Sequence, residues 1–383
     1  MKILLVSWSI LPRSGGSSVV IENLAKNFQA DEMIVLGGRN FFTKKVNRPI
    51  GSAEFRYFFS ELDFFGRGAR FFNWFRKWRK GALIEKIKTI ILQDKITHVI
   101  GVFPNEYYCH AACLAAQEMK ISFSSYFHNT YFDNTAITDP NAKLIQTEIF
   151  KKSENIFVMS KGMQRFYEKK YQLNKFIPLV HTFNDFPKIN NPESLPLKKE
   201  HYKLVAIGNF NESNMEATIR FVEAIKDNPK FTLSLYTPVP PMFLRKRGLD
   251  LTSVDYKGYV KSHELQTTLQ TYDMMILTHG FEGKYGEIEY QTIFPTRIIQ
   301  FLLAGKPIFV HSPKGSFLNE FVEANQCAAL VDVPNKKMIV AGLESIANDL
   351  EYQKELVRAS RKTVRQFHSP HVVQTMKENL LQS

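Results

Sequence analysis

Continuous apolar runs recur along the chain, separated by stretches with helical periodicity. In the first half they are ILLVSW (3–8), MIVLGG (33–38), THVIGVF (97–103), ISFSSYF (121–127), NIFVMS (155–160) and FIPLV (176–180). SVVIENLAKNF (18–28) and a helix around Cys109 fall between them. Runs that are apolar throughout, rather than alternating, mark strands buried on both faces. With helices between them they predict a parallel sheet. The segment FPKINNPESLPLKKE (186–200), rich in Pro, Asn and charge, then breaks the pattern as a linker. The alternation restarts with YKLVAIG (202–208), the helix MEATIRFVEAI and FTLSLY (231–236), then VDYKGYV leading into a helix at 262–271. DMMILT (273–278), CAALVDV (327–333) and helices from about 335 onward complete it. The prediction is α/β: two doubly wound, Rossmann-like domains facing each other across a cleft. The first covers 1–188 and is joined by the C-terminal helix (366–383), 189–200 is the linker, and 201–365 is the second domain. Ligands of such folds bind at the carboxyl ends of the strands.

The stretch FPTRIIQFLLAGKPIFV (294–310) carries the most chemistry. IIQFLLA reads as a short helix ended by Gly305 and Pro307, with IFV as the next strand. Pro295 fits the first helical position, which makes Phe294 the N-cap. Phe offers no oxygen to the first amides. Those amides, the Thr296 hydroxyl and the Arg297 guanidinium therefore face whatever precedes the helix, either water or an anion. Because the stretch follows a second-domain strand, the free amides point toward the expected cleft, which favours the anion.

Fifty Lys+Arg against 37 Asp+Glu give a net charge of +13, and the pI is near 9.4. An anionic partner follows: nucleic acid, an acidic membrane or a phosphorylated substrate. Three cysteines do not make a disulfide framework. Cys109, His110 and Cys113 lie together without a fourth metal ligand, among alanines that suit a packed helix. A reducing, cytoplasmic setting is expected. No apolar run is long enough to span a membrane. MKILLVSW lacks a cleavage site and reads as a first strand.

Taken in order, these motifs resemble those of the GT-B glycosyltransferases of the retaining "glycosyl transferases group 1" type, over nearly the whole chain. PRSGGSSVVIENLAKNF resembles the opening Gly-Gly loop and helix, YFHN places His128 at the family histidine, and FVMSKGM resembles the serine turn. VAIGNF resembles the opening of the second domain, VDYKGYVKSHELQTTLQTYDMMIL the run into the nucleotide site, and FPTRIIQFLLAGKPI the phosphate-binding loop and helix. The resemblance implies donor binding by Gly15, Gly16, Gly208, Asn209, Asn214, Pro295, Thr296, Arg297 and Gln300, with His128 near the donor sugar.

The chain departs from the family at four places. Asn209 and Asn214 stand where the family has Arg and Lys facing the diphosphate. Gln300 replaces the glutamate that holds the ribose. Thr292 stands where the other glutamate of the pair is expected. Glu282, Glu287 and Glu289 lie nearby in HGFEGKYGEIEY, and Glu282 is the favoured catalytic acid because a Phe-acid pair recurs there in relatives. Arg13 and Lys306 are cations that could replace part of the missing charge. A donor with one fewer ribose hydroxyl, such as a dTDP-sugar, would lose least from Gln300. No Asp-x-Asp metal motif occurs, and neither metal nor cofactor is expected.

Elsewhere, Gly15 and Gly16 serve either as a strand-to-helix turn or as a point of close backbone approach. Asn184 reads as a turn residue. FFGRGARFFNWFRKWRK (64–80) has seven aromatics and six basic residues without an acid. On a helical wheel Phe71, Phe72, Trp74, Phe75 and Trp78 share a face, with Arg70, Arg76, Lys77 and Lys80 mostly opposite. This is either an amphipathic helix packed on its domain or an interfacial helix meeting an anionic membrane or a lipid-linked acceptor. No nucleic-acid motif accompanies it, and no nucleic-acid partner is expected.

The function implied is metal-independent transfer of a sugar from a nucleotide-diphosphate donor to a glycan or lipid-linked glycan. Anomeric retention, bacterial surface polysaccharide synthesis and a peripheral place at the inner membrane face go with it. The departures keep two alternatives open: a catalytically degenerate subunit that binds glycan or a partner protein, and a sugar-nucleotide epimerase or hydrolase.

Overall fold

In the computed structural model, residues 1–13, 16–29, 31–40, 53–61, 67–134, 137, 139–187, 199–261, 263–282 and 287–382 are described. The chain divides into two compact units, Met1–Asn184 with Phe367–Ser383, and Asp185–Gln366.

In the first unit β1 (Ile3–Ser9) is buried along nearly its whole length. Its alternate residues feed opposite faces of the sheet: Leu4 and Val6 join one apolar cluster, Ile3 and Leu5 the other. The remaining strands are β2 (Met33–Asn40), β3 (Glu54–Glu61), β4 (His98–Phe103), β5 (Ser122–Phe127), β6 (Ile156–Val158) and β7 (Phe176–Pro178). The sheet runs β3-β2-β1-β4-β5-β6-β7, and every pair is parallel. Helices α1 (Gly16–Ala25), α2 (Arg67–Asp94), α3 (Glu106–Met119), α4 (Ala142–Lys152) and α5 (Lys161–Tyr171) make the crossovers. The last helix of the chain, Ser369–Gln382, returns to this unit. Its Val372, Val373, Met376 and Leu380 pack with Val20, Ile21 and Leu24 of α1. Lys377 pairs with Glu32 at 2.7 Å.

Sequence patterning missed β3. EFRYFFSE carries charges at 54, 56 and 61, which a fully buried strand would not. It is the edge strand, where charge is tolerated, and Arg56 is held by Glu54 at 2.7 Å and by Asp94 at 2.9 Å.

The second unit has β8 (Tyr202–Ile207), β9 (Phe231–Tyr236), β10 (Asp255–Gly258), β11 (Met274–Thr278), β12 (Ile308–His311) and β13 (Ala329–Val331), in the order β10-β9-β8-β11-β12-β13. All are parallel. The helices are α6 (Met215–Ile225), α7 (Pro241–Lys246), α8 (Leu265–Gln270), α9 (Glu287–Thr292), α10 (Arg297–Ala304), α11 (Phe317–Asn325), α12 (Lys336–Asn348) and α13 (Leu350–Val364). In both sheets the strand order reverses beside the first strand of the unit. A crevice therefore opens between β1 and β4, and between β8 and β11. No helix among the described residues is long and apolar enough to cross a membrane.

Candidate functional site

In the second unit the crevice between β8 and β11 is filled by Arg297. Helix α10 starts two residues later than its sequence suggests. Thr296, not Phe294, is the N-cap, and its backbone is already helical at φ −60°, ψ −23°. Its hydroxyl makes no cap. Ile298 and Ile299 donate to the carbonyls of Pro295 and Thr296, while the amides of Thr296 and Arg297 have no partner among the described residues. Phe294 is buried instead, against Phe317 and Phe321. The far end is as expected, with Gly305 left-handed at φ 66°.

Arg297 donates from Nη2 to the Thr278 carbonyl at 2.9 Å. It has no carboxylate partner among the described residues. Burial pulls its pKa down to about 10. Gly208 has φ +124°, and a Cβ there would stand 2.8 Å from Arg297 Nη1. Only glycine leaves room for this guanidinium. Among the described residues, this partly buried cation at an open helix N-terminus has no anion beside it.

Four further groups crowd the same end of the sheet. His279, directly after β11, is buried, and its Nε2 has no partner. Burial, then the Arg297 charge, hold it neutral with a pKa of about 3. Tyr290 meets the His279 ring edge-on at 5.3 Å, with its hydroxyl buried and unpartnered. Glu289 accepts from Ser213 Oγ at 2.6 Å, while its Oε2 is buried without a partner. Burial raises the Glu289 pKa against the opposing Ser213 bond.

Other predicted positions divide. Asn209 is exposed. Asn214 is buried and folds the loop: its Oδ1 accepts from the Asn211 amide at 3.0 Å and its Nδ2 donates to the Asn209 carbonyl at 3.4 Å. Gln300 Oε1 accepts from Gln266 Nε2 at 2.7 Å, which leaves the Gln300 amide group as its free donor. Glu282 is exposed, and it acts on Arg220 through charge alone. Glu289 is the nearby acid with a buried, unfilled oxygen, and sequence reasoning passed over it in favour of Glu282, whose Phe-acid pair resembles relatives. Lys306 does not replace the missing charge. It lies by Asp273 at the amino end of β11, the opposite edge of the sheet.

In the first unit His128 is buried at the end of β5. Its Nδ1 lies 2.9 Å from Ser17 Oγ on α1, and its Nε2 has no partner. Burial holds its pKa at about 3. Gly15 lies outside the described residues. Gly16 opens α1, and a Cβ there would meet nothing. Asn184 bonds Asn23 and Asn27, tying the end of the unit to α1. His110 is engaged by Lys80 at Nδ1 and Glu148 at Nε2, both at 2.8 Å, while Cys109 and Cys113 are buried and unbridged.

The wheel reading of α2 needs correction. Trp74 and Trp78 are 62% and 71% exposed, with Lys77 exposed between them. Phe75, Arg76, Arg79 and Lys80 are half-buried instead. Arg76 stacks on Trp8 at 4.7 Å, and Arg79 on Phe58 at 5.1 Å. Aromatic faces inside the unit draw the guanidiniums inward, which a hydrophobicity wheel does not register. The side chains of Arg70 and Phe71 lie outside the described residues.

These two parallel, doubly wound units make a GT-B fold. The chain is similar in structure to sucrose-phosphate synthase from Thermosynechococcus elongatus (TM-score 0.71, 12% identity, 100% of this chain and 98% of that one). It is equally similar to Anabaena HepE in complex with UDP (TM-score 0.71, 12% identity, 100% of both chains). A putative UDP-N-acetylglucosamine 2-epimerase from Listeria monocytogenes matches at TM-score 0.58 and 10% identity over 100% of this chain and 97% of that one. No protein-family model and no curated sequence matches.

Proposed function

We propose that the chain is a glycosyltransferase taking a nucleotide-diphosphate sugar in its second unit and passing the sugar to a glycan or lipid-linked glycan held by the first. The observation that carries this reading is Arg297: a cation with no carboxylate partner among the described residues, set over Gly208 at the open start of α10. A diphosphate is the anion that this geometry fits. As the bond to the anomeric carbon breaks, charge builds on the leaving diphosphate. The guanidinium and the free amides of 296 and 297 stabilise it there without a metal. Retention of configuration follows from the family resemblance. The UDP held by HepE, which has the same fold, supports a pyrimidine nucleotide. Surface polysaccharide synthesis is the setting to which the resemblance points. The exposed Trp74 and Trp78 around Lys77 support contact with an anionic membrane face.

The likeness to an epimerase supports a second reading, in which the same anion site serves a reaction on the donor alone. One experiment separates the two. The purified protein is incubated with UDP-, dTDP- and GDP-sugars, with and without membrane extract, and products are read by mass spectrometry. Sugar joined to an acceptor supports transfer. An altered or hydrolysed donor without acceptor supports the second reading, and an untouched donor refutes both.

A further inference from the structure

Helices α8 and α10 meet through two glutamines. Gln266, on α8, donates from Nε2 to the Gln300 backbone carbonyl at 3.0 Å and to Gln300 Oε1 at 2.7 Å. A backbone carbonyl can only accept, so the end of Gln266 that faces it must be nitrogen. The end of Gln300 that faces this nitrogen must then be oxygen. Both side chains are fixed by that one carbonyl, and the Gln300 amide group is turned away from Gln266. Gln300 is half-buried, and its Nε2 has no acceptor among the described residues. Gln266 leaves its own Oε1 buried and unpartnered, which a leucine there would avoid. The pair therefore holds a hydrogen-bond donor in place at a cost to stability.

Gln300 lies three residues beyond Arg297 in α10. It is on the same face of the helix, about 4.5 Å further along the axis. A diphosphate at the free amides of 296 and 297 carries two groups, the nucleoside and the sugar to be transferred. The sugar has to stay open to an acceptor. The group that runs along the flank of α10, beside α8, is then the ribose. A carboxylate in this place would accept from both hydroxyls of the ribose diol. A fixed amide group cannot, because it only donates. One hydroxyl oxygen satisfies it, and 2′-deoxyribose keeps the 3′ oxygen.

We propose that Gln266 is a positioning residue that fixes Gln300 as a donor toward the ribose, so that the site takes 2′-deoxynucleotide donors as readily as ribonucleotide ones. The inference rests on the diphosphate reading of Arg297.

The test is calorimetric titration with UDP, CDP, GDP and ADP, each beside its 2′-deoxy counterpart, on wild type, Gln300→Glu and Gln266→Leu. The readout is the ratio of deoxy to ribo Kd for the base that binds most tightly. Wild type is expected to give a ratio below about fivefold. Gln300→Glu supplies the missing acceptor, and its ratio should be about tenfold above that of wild type or more. The repulsion between this new carboxylate and the diphosphate weakens both nucleotides and cancels in the ratio. Gln266→Leu lets the Gln300 carbonyl turn outward, and its ratio should rise about threefold or more. A merely structural role for Gln266 would move its melting temperature and leave the ratio alone. Should Gln266→Leu fail to fold, Gln300→Glu decides. A wild-type ratio of about fivefold or more, or one ratio shared by all folded variants, overturns the proposal while the donor site stands. No binding of any nucleotide removes the donor site and this subsite together.

Discussion

Replacing Arg297 by Met keeps an unbranched apolar stem and removes the charged head, and the structure gives opposite signs for its effects on binding and on stability. In the ligand-free protein the guanidinium has one hydrogen bond, to the Thr278 carbonyl, and no counter-charge among the described residues. Burial pulls its pKa down from the ordinary guanidinium value to about 10. A drop of that size in a dry site corresponds to about 3 kcal/mol. The side chain is partly exposed, and solvent screening brings the cost to about 1–2 kcal/mol. For a base whose folded pKa is depressed, this penalty is present in full below about pH 10, which covers every working pH. Losing the bond to Thr278 returns about 1 kcal/mol. The ligand-free Tm of Arg297→Met is therefore expected to stay level or to rise by up to about 4 °C. Nucleotide binding should move the other way. A charge-assisted contact to diphosphate contributes about 1.5–3 kcal/mol, so Kd should rise roughly 10- to 150-fold. Calorimetric titration with the preferred nucleoside diphosphate, beside thermal melts without ligand, reads both. Unchanged affinity together with a clearly lowered Tm would refute the reasoning, since Arg297 would then be holding the fold rather than waiting for an anion.

Gly208→Ala combines a φ of +124° with a Cβ 2.8 Å from Arg297 Nη1. It should cost about 1–3 kcal/mol in thermal melts and also weaken nucleotide binding. Glu289→Gln removes an acid whose folded pKa is raised by burial, so its destabilisation is present in full above the folded pKa and is lost as pH falls through it to the unfolded value. The variant should melt higher than wild type at neutral pH, and the gap should close near about pH 4. Replacing Trp74 and Trp78 by Ser should leave the Tm unchanged, because both are exposed. It should also weaken co-sedimentation with anionic vesicles by about tenfold or more. His128, held at about pKa 3, should show no imidazole titration by NMR between about pH 5 and 8.

The sheets were legible because parallel strands buried on both faces write themselves as unbroken apolar runs. β4 and β11 are buried throughout and match their runs to within a residue or two. β3 was not legible, because an edge strand mixes charge into its pattern and its partners, Glu54 and Asp94, are set by tertiary placement. The FPTR turn could be read as lacking a side-chain cap, but its helix begins two residues later because Phe294 prefers the apolar wall of Phe317 and Phe321. What the sequence did not reveal was pairing. It could not tell that Asn214 is spent on its own loop, that Gln300 has its carbonyl taken by Gln266, or that Glu289 keeps an unfilled oxygen. The face of α2 was misjudged for a related reason: stacking on Trp8 and Phe58 outweighs the hydrophobic ranking of Arg against Trp.

The most direct measurement is a parallel thermal-shift series on the purified protein with UDP, dTDP, GDP, CDP and ADP. A ligand that binds only the folded state raises Tm with its occupancy. If the start of α10 is a diphosphate cradle, a pyrimidine diphosphate should raise Tm clearly, and the shift should be much smaller in Arg297→Met at the same concentration. No shift with any of the five at millimolar concentration would contradict the donor site, and the turn at Phe294–Arg297 would be a plain helix start.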